Sequence, residues 1–129
     1  MGYAYTWLTW TCIELGRLDD AVAYGQKAQE LCRAVDMDHY LHFNSLAGLA
    51  YAESQRGGKG KAFEHGKTLL EFGQRPSNVR SMVMGYCFMG YSHMLGGHIA
   101  AATSCFEIAV QVSLDPWYSQ FPRMALCHA

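Results

Sequence analysis

The chain has 129 residues, half of them hydrophobic and 16% charged, a balance that suits a packed globular protein and excludes general disorder. A net charge of −1 leaves no cationic excess for salt-sensitive binding to nucleic acid. The five cysteines are an odd set without a CxxC pair, which excludes a disulfide framework and favours reduced, buried thiols in a cytoplasmic protein.

Residues 1–13 carry no charged side chain, yet they lack a basic leader and a compact aliphatic run, so no signal peptide is expected. The spacing of Tyr5, Leu8, Cys12 and Leu15 predicts a first helix over Tyr3–Leu15. Trp7 and Trp10 make it apolar on more than one side. Gly16 ends it, and Asp19, backed by Asp20, is expected to cap a second helix running to Val35. Ala21, Tyr24, Gly25, Ala28, Leu31, Cys32 and Val35 form its inner stripe, and Asp36-Met37-Asp38 is the connection. A third helix over His39–Arg56 packs through Phe43, Ala47, Ala50, Tyr51 and Ser54, with Gly48 permitting a close neighbour. Gly57–Gly60 is expected to be the most flexible loop, longer than the turn at Gly16.

A fourth helix is predicted over Lys61–Gly73, burying Ala62, Phe63, Gly66, Leu69, Leu70 and Phe72. Pro76, with Ser77 or Asn78 as cap, opens a fifth over Asn78–Leu95. Gly85 and Gly90 cost that helix propensity, so adjacent backbones should pack tightly there. A sixth helix is predicted over His98–Leu114 and is stopped by Asp115-Pro116; a seventh begins at Trp117, with Pro122 tolerable in its first turn or as a kink. Residues 81–106 lack Asp, Glu, Lys and Arg, but Gly96-Gly97 breaks the stretch, so a buried helix and a turn explain it better than a membrane span.

The same pattern recurs three times. Around Gly16 stand Thr9, Cys12, Leu15, Leu18, Ala21, Gly25 and Ala28; around Gly57-Gly58 stand Gly48, Tyr51, Ala62, Gly66 and Leu69; after Gly96-Gly97 come Ala102, Phe106 and Ala109. A small residue, a bulky one, a glycine turn and then Ala with partners four and seven further on resembles the tetratricopeptide repeat. The resemblance covers roughly 2–36, 38–75 and 77–115, leaving an extra helix over 117–129. A spacing near forty residues is similar to the arrays beside signalling ATPases in LuxR-type regulators related to the maltose activator, and in bacterial multidomain adenylate cyclases. The second repeat departs from the pattern, with Asn44 where an aromatic is usual.

The resemblance implies an all-α, right-handed superhelix in which each hairpin buries its faces against its neighbours. The first helix of each hairpin lines the concave side. The implied groove is Tyr3, Thr6, Trp10 and Ile13, then His42, Ser45, Leu49 and Glu53, then Met84, Cys87, Tyr91 and Met94. Aromatic and Met side chains there suit a peptide or helix, making the chain a protein-binding scaffold or sensor segment; a small effector on the concave side is the alternative. The same residues could equally be core. The acidic-tail clamp known in such repeats is not implied, because Thr6, Trp10, Met84 and Phe88 stand where its polar and basic residues would be. The aromatic start and the apolar run Met124–Cys127 suggest a fragment of a longer protein whose open ends pair with a second copy.

Little else points to chemistry. His39 and His42 share a helix face but have no evident third ligand, so no metal is expected. Cys87 and His93, six apart, point to different sides of a helix and have no orienting carboxylate. Gly57–Gly60 lacks the strand, glycine spacing and Ser or Thr of a phosphate loop. Arg56, Lys59, Lys61, Lys67, Arg75 and Arg80 read as a solvated surface. The chain is therefore expected to be no enzyme, to hold no cofactor, and to contact neither nucleic acid nor membrane.

Overall fold

The computed structural model describes residues 1–34, 38–74, 78–113 and 116–128. It is all α-helical among these residues: α1 (Gly2–Glu14), α2 (Leu18–Ala34), α3 (His39–Gln55), α4 (Lys59–Gln74), α5 (Val79–Leu95), α6 (Ile99–Val112) and α7 (Pro116–His128). Each helix packs on the next in sequence, and α1, α3, α5 and α7 also pack successively on one another. Among the described residues α2, α4 and α6 do not meet, so the odd-numbered helices form one layer and the even-numbered helices another. The pairs therefore succeed one another by translation, as an array, and do not close into an up-and-down bundle.

Three turns set the repeat. In each, three residues separate the helices, and a glycine with positive φ (Gly16 at 71°, Gly57 and Gly97 at 80°) takes the left-handed conformation that other residues resist. In each, the amide after that glycine donates to a carbonyl five residues back: Arg17 to Cys12 at 2.8 Å, Gly58 to Glu53 at 2.7 Å, His98 to His93 at 2.9 Å. The turn at Gly57 is thus no longer than that at Gly16. Lys59 and Gly60 belong to α4, which begins two residues earlier than the sequence suggests.

Capping follows the sequence at two starts and departs from it at one. The Asp38 carboxylate accepts from the amides of Tyr40 (3.0 Å) and Leu41 (3.1 Å), and the Asn78 side chain accepts from Ser81 at 3.3 Å. Asp19 is not a cap: α2 starts at Leu18, leaving Asp19 and Asp20 in its first turn, where they face the positive end of the helix. Pro122 lies past the first turn of α7, with its ring fully buried. The expectations for Val35, Asp36-Met37, Pro76, Ser77, Leu114 and Asp115 fall outside the described residues.

The core is continuous along the array. Cys12, Ile13, Ala21, Val22, Leu49 and Ala52 join the first hairpin to α3. Phe43, Leu46, Leu69, Met84 and Phe88 fill the middle, and Cys87, Ala102, Phe106 and Ala125 seal α5 to α6 and α7. Small residues bring helices close where the sequence suggests. Gly48 receives Thr9 and Trp10, and the Phe106 ring lies on Gly90. A methyl on Gly85 would lie 2.6 Å from the Leu70 nitrogen and 2.8 Å from the Gly66 carbonyl oxygen, so α4 and α5 meet backbone to backbone. Hydroxyls clasp that pair at both ends: Ser81 donates to the Leu69 carbonyl at 2.6 Å and Ser92 to the Lys59 carbonyl at 2.7 Å. No described helix is long and apolar enough to cross a membrane.

Candidate functional site

A groove of about 410 Å³ opens on the layer of odd-numbered helices. α1 supplies Tyr3, Thr6, Trp7, Trp10 and Glu14, spaced at three and four residues along one face. α3 supplies Tyr40, Phe43, Asn44, Ala47 and Tyr51 by the same spacing. Met84 of α5 contributes to the floor, and Phe121 of α7 stands at the end beyond Tyr51.

The rings are held against one another. Trp10 and Tyr51 lie 5.9 Å apart at a 40° tilt, Tyr51 and Phe121 meet edge to face at 6.3 Å, and Tyr3 stacks on Tyr40 at 6.2 Å. The Tyr3 hydroxyl donates to the Asp38 carboxylate that caps α3, so one side chain fixes both a helix start and a groove wall. That bond raises the Tyr3 phenol and lowers the Asp38 carboxyl, whose capping amides add to the effect. The Thr6 hydroxyl is spent on the Gly2 carbonyl at 3.0 Å. Trp7 is 70% exposed, an unusual position for so large an apolar surface. Glu14 is the one charged residue of the lining, and neither Lys nor Arg contributes to it. Burial raises the Tyr51 phenol, and the nearby Glu14 charge adds to that.

Of the sequence-predicted groove, Tyr3, Thr6, Trp10 and Met84 line it. The α3 set does not. Ser45 is buried, accepts from Gln29 of α2 and donates to the Leu41 carbonyl at 2.6 Å. Leu49 packs against Gly25, and Glu53 is buried beside Gly58 with Arg56 at 3.8 Å. The His42 ring sits against Phe72 at 4.9 Å, and burial lowers its pKa. Ile13 belongs to the core between α1, α2 and α3. Cys87, Tyr91 and Met94 hold the right register, but α6 and α7 cover them. Cys87 is fully buried, which pushes its thiol far up, and Tyr91 meets Phe106 at 5.5 Å.

The α3 error is one of register. The sequence reading steps 39 residues from Tyr3 to His42. The turn glycines stand 41 apart from Gly16 to Gly57 and 40 apart from Gly57 to Gly97. Stepping by 41 carries Tyr3, Thr6 and Trp10 onto Asn44, Ala47 and Tyr51, all of which line the groove. Nothing in the repeat spacing points to Phe121, which arrives from outside the repeats.

The remaining candidates are structural. His39 and His42 both pack on Phe72, and among the described residues no three His, Cys, Asp or Glu side chains gather as a metal site. Arg56 pairs with Asp19 at 3.2 Å and Lys61 with Glu64 at 3.3 Å, which neutralises part of the basic middle. All five cysteines are free; Cys12, Cys32 and Cys87 are buried, whereas Cys105 is half-buried and Cys127 exposed, against the expectation of uniform burial. No family profile, curated protein or solved structure matches the chain.

Proposed function

We propose that this chain is a tetratricopeptide-like protein-binding module whose groove receives an apolar or helical segment of a partner, as a scaffold or sensor segment in a bacterial signalling or transcriptional regulator. One observation carries the reading: Tyr3, Trp7, Trp10, Tyr40, Tyr51 and Phe121 converge on a single groove, with Trp7 left largely in water. Aromatic anchors in a partly desolvated cleft are where binding energy concentrates at protein interfaces. The array shape supports it, because a layer of parallel helices offers an extended track and not an enclosed catalytic chamber.

A small effector is the second reading, favoured by the groove's volume of about 410 Å³, within the range of about 300–1,000 Å³ usual for ligand clefts. Thermal-shift titration against a peptide library and a metabolite library separates the two. A peptide that raises the melting temperature of the parent, and fails to do so for Trp7→Ala, supports the module. A metabolite with that behaviour transfers the site to the second reading, and no shift from either library defeats both.

A further inference from the structure

From the groove's charge pattern we infer that its occupant is cationic: an arginine side chain of the partner segment, its guanidinium between the Trp10 and Tyr51 rings and its charge toward Glu14. This rests on the peptide-binding reading and adds the chemistry of the anchor. Three observations carry it. The lining offers π faces and one carboxylate but no Lys or Arg, so its field favours a cation. Glu14 is exposed at the groove and has no ion-pair partner among the described residues, although Asp20, Glu53 and Glu64 each have a basic partner three residues away and Asp19 pairs with Arg56. Glu14 is also close enough to Tyr51 to raise its phenol, which puts the carboxylate at the aromatic pair and not at a distant rim.

The chain uses the same recognition elsewhere. On the side of α1 away from the groove, the Lys27 ammonium lies 5.6 Å from the Tyr5 ring and 6.0 Å from the Tyr24 ring. Trp10 and Tyr51 repeat that two-ring arrangement, with a better cation acceptor in the indole and no internal cation to fill it. Arginine is favoured over lysine because its planar guanidinium stacks on rings while its fork engages a carboxylate.

The test uses the full chain and four immobilised pools of capped seven-residue peptides, degenerate except for a central arginine, citrulline, glutamate or leucine. The expected result is at least tenfold more protein retained by the arginine pool than by the citrulline or glutamate pool, falling about tenfold for Glu14→Gln and for Trp7→Ala. Both substituted side chains are exposed, so the variants keep the fold, which the circular dichroism melt verifies. Equal retention by arginine and citrulline pools, still lost in Trp7→Ala, overturns the cationic anchor while leaving the groove as a peptide site. Retention by no pool overturns both. Tetramethylammonium or arginine methyl ester raising the melting temperature with no pool retained assigns the groove to a free small cation and overturns the peptide source.

Discussion

The α4–α5 contact and the α1–α3 contact are built from opposite materials. At α4–α5, Gly66, Gly73 and Gly85 let backbone touch backbone: a methyl on Gly73 would lie 2.7 Å from the Met82 nitrogen, and one on Gly66 2.9 Å from the Met89 nitrogen. At α1–α3, Gly48 admits Thr9 and Trp10 on one side, while Tyr3, Trp7, Trp10, Tyr40 and Tyr51 hold the other side open. Close packing in the first case leaves no room for a ligand; spacing by rings in the second leaves about 410 Å³. A helical array becomes a binding surface where large residues prop its helices apart, and stays a rod where glycine lets them close.

Substitutions at the two contacts should therefore fail in different ways. Gly85→Ala puts a methyl into the α4 backbone, which cannot withdraw like a side chain, and should cost about 3 kcal/mol by urea denaturation despite alanine's higher helix propensity. Ser81→Ala removes the buried bond to the Leu69 carbonyl on the same contact and should cost about 1 kcal/mol in the same assay. Gly60→Ala is the matched control. It lies in the first turn of α4 with open space around it, so it should stabilise by about 0.5 kcal/mol. Trp7→Ala should change stability by less than about 0.5 kcal/mol, because the side chain is mostly in water, yet abolish peptide-dependent thermal shift. A large loss of stability here would mean that Trp7 props the array and does not serve a ligand.

The smallest effect concerns pH. Burial lowers the pKa of both His42 and His65 below the usual value near 6.5. Below that value the unfolded chain takes up protons that the folded chain resists, so stability falls as pH drops from about 6.5 through the lowered folded pKa. The melting temperature should be lower at pH 5 than at pH 7.5, and the difference should shrink in the His42→Gln, His65→Gln double variant.

Helix order and boundaries were readable because three glycine turns and the periodic apolar stripes agree; most ends fall within two residues of the expected position. The tight packing at Gly85 and Gly90 was readable from the cost of glycine inside a helix. The groove was harder. On α3 nearly every position from Leu41 to Ser54 is buried, so hydrophobicity does not distinguish the face toward α1 from the face toward α2. A two-residue slip turned a buried polar pair, Gln29 with Ser45, into a supposed groove residue. The glycine spacing held the correction, since a turn geometry repeats more strictly than a hydrophobic stripe. The cover over Cys87 and Tyr91 was out of reach of any repeat argument, because it comes from α7.

Asp38 has one further consequence. Its carboxylate holds the first amides of α3 and the hydroxyl of Tyr3 together, so fraying of that turn also frees a wall of the cleft. Deuterium uptake at Tyr40 and Leu41 thus reports on site occupancy without a label: a bound segment that braces Tyr3 slows exchange there, and Asp38→Ala uncouples the two.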